Sequence, residues 1–178
     1  MKRETAAVAA AYLALTLALT WPLPLGLTHD VASDLGDPLL NTWILAWNAT
    51  HLGRGWWNAN IFAPHPLALA YSEHLFAESL QALPVYALTR NPILAYNVVF
   101  LATFVLSAFG MYLFVRDLTG SSPAAFLAGA AFGFAPYRFG TLPHVQILSS
   151  MWMPFALWGF HRFFETRRMN ALAGGTAA

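Results

Sequence analysis

PILAYNVVFLATFVLSAFGMYLFV, residues 92–115, is a run of 24 residues without one charged side chain. An α-helix rises about 1.5 Å per residue, so about 20 apolar residues cross a hydrocarbon core of about 30 Å. This stretch is long enough to span a bilayer as one helix.

The rest of the chain agrees with that setting. Of 178 residues, 58% are hydrophobic and 10% charged, and the mean hydropathy is +0.52. One small soluble core cannot hide that much apolar surface. Three further segments approach spanning length: 6–27, 123–137 and 145–164. The expected fold is therefore an all-α integral membrane protein with about four transmembrane helices, residues 1–178 forming a single membrane domain. The uncharged run from Thr5 to Thr28 ends in Trp-Pro-Leu-Pro without a small-residue cleavage site, which argues for a retained span rather than a signal peptide. Residues 170–178, Asn-Ala-Leu-Ala-Gly-Gly-Thr-Ala-Ala, follow a basic segment and are expected to open another span, which makes the chain the N-terminal part of a longer protein.

Charge sets the orientation. Lys2, Arg3, Arg116, Arg162, Arg167 and Arg168 fall on one side of this topology and Arg54, Arg90 and Arg138 on the other, six against three. Basic residues stay cytoplasmic, so the N-terminus is expected in the cytoplasm of a plasma or inner membrane protein, with the polar loop 28–91 outside. The net charge of +1 and the lack of basic runs exclude nucleic acid as a partner. The absence of cysteine removes disulfides, thiolate nucleophiles and sulfur-ligated metals.

The outer loop holds most of the chemistry. Asp37-Pro38 opens an expected helix to about His51, since Asp caps free amides and Pro is tolerated at the first helical position. Leu40, Trp43, Ile44 and Trp47 share one side of it, with Asn41 and Asn48 elsewhere, as in a helix lying in the membrane interface. A second interfacial or re-entrant helix is expected over 72–88, too short in its apolar part to span. Asp34 and Asp37, with Asp30 upstream, are candidates for a general base or for ligands of a divalent cation such as Mg or Mn; alternatively Asp37 only caps the helix and Asp34 is solvated. Glu73, His74 and Glu78 form a second group, in which His74 and Glu78, four apart, would share a helical face as an acid/base or metal pair, or simply open a helix. In the connection 136–146, Arg138 has the forked donors that match a phosphate, with His144 beside it; a snorkelling anchor is the other reading of Arg138. The histidines at 29, 51, 65 and 74 lack tight zinc-ligand spacing. Asn48-Ala49-Thr50 matches the glycosylation pattern. Gly129 and Gly133 would allow close helix approach.

The order of these features, together with Gly-Asp-Pro-Leu-Leu-Asn-Thr-Trp, Pro-His-Pro and Ala-Pro-Tyr-Arg-Phe, resembles the N-terminal part of GT-C superfamily membrane glycosyltransferases, which include protein mannosyltransferases and aminoarabinose transferases. The resemblance implies transfer of a sugar from a polyprenyl-phosphate donor to an extracytoplasmic acceptor. It implies Asp37 as the catalytic or metal-holding carboxylate, Asp34 and Glu73 in support, and Arg138 with His144 on the donor phosphate. This fragment alone is expected to be inactive. The chain departs from the mannosyltransferase pattern in that Leu35-Gly36 separates the two carboxylates. A transporter or lipid-carrier flippase would place charges at mid-membrane depth, whereas here they cluster at helix ends; a non-enzymatic subunit of a cell-envelope complex is the third reading.

Overall fold

The computed structural model describes residues 2–53 and 55–169. Arg54, counted above on the outer side, and the segment 170–178, expected to open a further span, lie outside the described residues. The described residues form helices α1 (Lys2–Leu19), α2 (Asp37–Thr50), α3 (Phe76–Thr89), α4 (Pro92–Thr119), α5 (Ser122–Gly133), α6 (Pro136–Gly140), α7 (Val145–Leu148) and α8 (Trp152–Thr166), with no strand among them. The all-α expectation holds.

Among the described residues one helix, α4, is long and apolar enough to cross a membrane by length and composition. It runs beyond the expected end at residue 115 to Thr119, because Arg116 and Asp117 do not break a helix. The other three expected spans are shorter as helices. The α1 helix stops at Leu19, and Pro22 and Pro24, which lack the amide donor, leave only a short 3-10 turn at Leu23–Leu25. The α5 helix covers 12 residues, about 18 Å, and ends at Gly133 instead of 137. The segment expected as one helix over 145–164 is divided into α7, a 3-10 turn at Ser149–Met151, and the 15-residue α8. Pro154 explains the division, since its ring and missing donor are tolerated only in the first turn of α8.

The chain forms two compact units. The first comprises Met1–Trp21, Leu101–Leu142 and Ile147–Ala178. Its core gathers Tyr12, Ala108, Tyr112 and Ala125. Tyr12 stacks on Phe126 with ring centroids 5.1 Å apart, and its hydroxyl donates to Phe126 O at 2.9 Å. Gly129 and Gly133 lie against Ala108 so closely that a Cβ on either would fall 2.5 Å from an Ala108 atom. The stripe of small residues is thus the close-approach surface expected from the sequence.

The second unit comprises Pro22–Phe100 and Pro143–Gln146, in which α2 packs against α3. The face that α2 buries contains Asn41, Thr42, Ile44, Leu45 and Asn48. The asparagines, expected away from the packed face, therefore point into the protein, while Leu40, Trp43 and Trp47 are only half-buried. The reason is hydrogen bonding. Asn48 donates to His74 O at 2.6 Å and Ser79 Oγ at 2.8 Å, so its amide is a strut between α2 and the start of α3. Fully enclosed, it is not placed as a glycosylation acceptor.

Candidate functional site

The site lies in the second unit and starts at the opening of α2. Gly36, not Asp37, occupies the N-cap position, and no side chain caps this end. Asp34 Oδ1 instead accepts from Gly36 N at 2.7 Å, closing a small turn that sets the helix entry. Asp37 becomes the first helical residue and its carboxylate is left to other partners, favoured there by the helix N-terminal dipole. The capping alternative for Asp37 is not what the geometry shows.

The partner is His144. Its Nδ1 lies 3.2 Å from Asp37 Oδ2, with both side chains about half-exposed, at 39% and 52%. The contact is an ion-pair approach without the alignment of a hydrogen bond. His144 is held by its neighbours. Asn41 Nδ2 donates to Pro143 O at 3.2 Å and approaches Gln146 Oε1 at 3.5 Å. Gln146 Nε2 in turn donates to Glu73 Oε1 at 3.1 Å, and Ser72 Oγ donates to Glu73 Oε2 at 3.2 Å. Three groups far apart in sequence, 34–37, 72–73 and 143–146, thereby meet in one polar network.

The remaining candidates sit elsewhere. The helix expected over 72–88 begins at Phe76, after Leu75 in a left-handed conformation (φ 51°). His74 therefore precedes the helix, and the helical pairing of His74 with Glu78 does not form. His74 is instead packed among Trp56, Trp57 and Phe76, with ring centroids 4.1 Å from Trp57 and 5.0 Å from Trp56. Burial pushes its pKa down, since the apolar surroundings disfavour the charged ring. Glu78 stands in the first turn of α3, as expected, but with its side chain buried.

Arg138 belongs to the first unit and does not face out. It is fully enclosed, with Nη2 donating to Thr103 O at 3.1 Å and Leu148 O at 3.0 Å and Nη1 donating to Ser150 Oγ at 3.1 Å. Its guanidinium also lies over the Phe104 ring at 5.0 Å. The Nη donors foreseen for a phosphate are spent on Thr103 O inside α4, Leu148 O at the end of α7 and Ser150 Oγ, which makes Arg138 a structural clamp. Burial pushes its pKa down, although a guanidinium remains protonated.

Sequence reasoning missed Asn41 and Tyr96 and gave Gln146 no role. A signal for Asn41 existed: positions 37, 41 and 48 fall on one helical stripe, so an Asn there faces whatever Asp37 faces. Tyr96 is fully buried with no hydrogen-bond partner at its hydroxyl. Asn97 beside it donates to Leu27 O at 2.9 Å and Asp30 O at 2.7 Å, and Asn91 to Thr28 O at 2.9 Å, which ties the acidic loop to the first turns of α4.

No protein-family model matches this chain, and neither a curated protein nor a solved structure does.

The expected cation has an incomplete donor set. Among the described residues, no three His, Asp or Glu side chains converge to hold a metal ion. One oxygen of Asp34 is already engaged by Gly36 N and one of Asp37 faces His144. The two carboxylates do not make a cage by themselves; Asp37 faces His144, with the Asn41, Gln146 and Glu73 network behind it.

Proposed function

We propose that this chain acts as a membrane glycosyltransferase of the GT-C type, transferring a sugar from a polyprenyl-phosphate carrier to a hydroxyl acceptor. The observation that carries the reading is the 3.2 Å approach of Asp37 Oδ2 to His144 Nδ1, half-exposed at a helix start and backed by Gln146 and Glu73.

The chemistry follows from the residues. Asp37 takes the proton of the acceptor hydroxyl as its oxygen attacks the anomeric carbon; the bond from that carbon to the carrier phosphate breaks, and polyprenyl phosphate leaves. General-base help of this kind contributes about 10²–10⁴-fold. His144 holds Asp37 by Nδ1 and keeps Nε2 for an oxygen of the leaving phosphate. Asp34 fixes the backbone from which Asp37 projects, and Glu73 with Gln146 fixes the 143–146 segment. Arg138, enclosed by carbonyls, takes no part. In this reading α1, α5 and the α7–α8 segment also enter the membrane beside α4, the basic ends face the cytoplasm, and the 28–91 loop is extracytoplasmic.

The test is sugar incorporation from radiolabelled polyprenyl-phosphate sugars by membranes holding the full-length protein or its Asp37→Asn form. Incorporation by the native protein and its loss in the variant is the expected result. Equal incorporation by both removes Asp37 from catalysis and overturns the reading.

A further inference from the structure

A second polar cluster lies in the first unit, where the ends of α1, α4, α5 and α8 meet, and the proposed transfer does not use it. Glu4 stands in the first turn of α1 and Arg116 in the last turn of α4, followed by Asp117. Glu4 Oε1 accepts from Tyr112 Oη at 3.2 Å and from Ser122 Oγ, and lies 3.6 Å from Arg116 Nε. Asp117 Oδ2 accepts from Trp158 Nε1 at 2.9 Å, and its Oδ1 lies 3.5 Å from Arg162 Nη1. A cavity of about 330 Å³ opens among Glu4, Leu113, Arg116, Trp158 and Arg162, and a neighbouring one of about 430 Å³ shares Asp117 and Arg162.

Three properties define the occupant. First, the ion pairs are loose: charge-assisted contacts of this type close to about 2.7–2.9 Å, so separations of 3.6 and 3.5 Å leave both guanidiniums with donors to spare, even with Arg116 Nη1 donating to Gly120 O. Secondly, two cations, Arg116 and Arg162, and two carboxylates, Glu4 and Asp117, line one cavity. A lone anion would meet Glu4 and Asp117, and a lone cation would meet the two arginines. A ligand that carries both signs within a few ångströms satisfies all four. Thirdly, Leu113, Tyr112 and Trp158 give the cavity an apolar wall, and tryptophan beside basic residues is the pattern of headgroup depth. The α4 helix, long and apolar enough to cross a membrane, ends at this cavity.

We infer that this cavity binds the headgroup of a zwitterionic phospholipid with a primary ammonium, an ethanolamine phosphodiester. The phosphodiester lies against Arg116 and Arg162 and the ammonium between Glu4 and Asp117. A primary ammonium has three N–H donors for the carboxylates, whereas a choline group has none. The inference rests on α4 crossing the bilayer and is independent of the transferase reading.

The test is competition among phosphatidylethanolamine, phosphatidylcholine and phosphatidylglycerol of identical acyl chains for the full-length protein, read by native mass spectrometry. The expected result is about three- to tenfold enrichment of the ethanolamine lipid over both others, the size that two exposed ion pairs supply. Arg162→Gln and Asp117→Asn should each reduce that preference. Equal retention of the three lipids by the native protein overturns the inference, and so does preference for phosphatidylglycerol; neither outcome depends on a variant folding. Water-soluble glycerophosphoethanolamine separates the two sources of the headgroup. A saturable thermal shift with it supports the site with a free ligand, and enrichment of the lipid without such a shift supports the site with the membrane as its source.

Discussion

Asp37 Oδ2 lies 3.2 Å from His144 Nδ1, although the two residues are far apart in sequence. The contact makes a single unit of a carboxylate and an imidazole, and groups acting as a unit are non-additive under mutation. His144→Gln should therefore lower sugar transfer by about 10²–10⁴-fold, and Asp37→Asn combined with it should be little worse than either alone. Transfer rates of the two single variants and the double variant check this; full additivity of the losses would separate the two residues into independent roles.

Gln146 links Glu73 to the segment that carries His144. Gln146→Leu removes the 3.1 Å bond to Glu73 Oε1 and the amide partner of Asn41. Each bond lost should cost about 0.5–1.5 kcal/mol of stability, and transfer should fall through a lower kcat while carrier binding changes little. Gln146→Glu sets a second carboxylate against Glu73 and should be worse than Leu in transfer. Steady-state kinetics on the two variants decides the order.

The stripe of small residues in α5 is a steric prediction. Gly129→Ala would put a methyl 2.5 Å from Ala108 O and against the Tyr12 hydroxyl, and Gly133→Ala would put one 2.5 Å from Ala108 Cβ. Overpacking of this kind costs about 1–3 kcal/mol, so each variant should lower the thermal midpoint. Gly140→Ala, with open space around the site, should not. Thermal unfolding of the three variants in detergent makes the comparison.

His74 supplies a pH dependence. Burial lowers its pKa below the ordinary histidine value of 6.5. The folded state thus holds the neutral ring while the unfolded chain protonates first, so the unfolded state binds more protons as pH falls below 6.5. The contribution of His74 is complete above that value and is lost on acidification towards its lower folded value. His74→Asn should show a smaller drop in thermal midpoint between neutral and mildly acidic buffer than the native protein. A drop of unchanged size would remove His74 from the acid response.

Much of this was legible in the sequence. The uncharged run at 92–115 implied α4, because nothing charged and no internal proline interrupts it. Asp37-Pro38 gave α2 within a residue of its bounds, since proline's fixed φ and lost donor mark a helix start regardless of context. Asp34, Asp37, Glu73 and His144 were picked out as chemical residues. That they share one network was not legible, because chain order carries no distance between residues 37, 73 and 144. Arg138 reads as a surface cation from its neighbours; only the tertiary fold shows its donors turned onto Thr103 O and Leu148 O.

The sequence by itself determined what is local: helix against loop, where prolines stop a helix, and how much apolar surface seeks lipid or core. Only the tertiary structure decided which face of α2 is buried, that the asparagines on it point inward, that Gly36 and not Asp37 caps the helix, and that Asp37 meets His144. The reason is physical. Periodicity and propensity act over one or two turns, whereas the partner of a buried amide or carboxylate is chosen by whichever distant segment the packing brings within 3 to 4 Å.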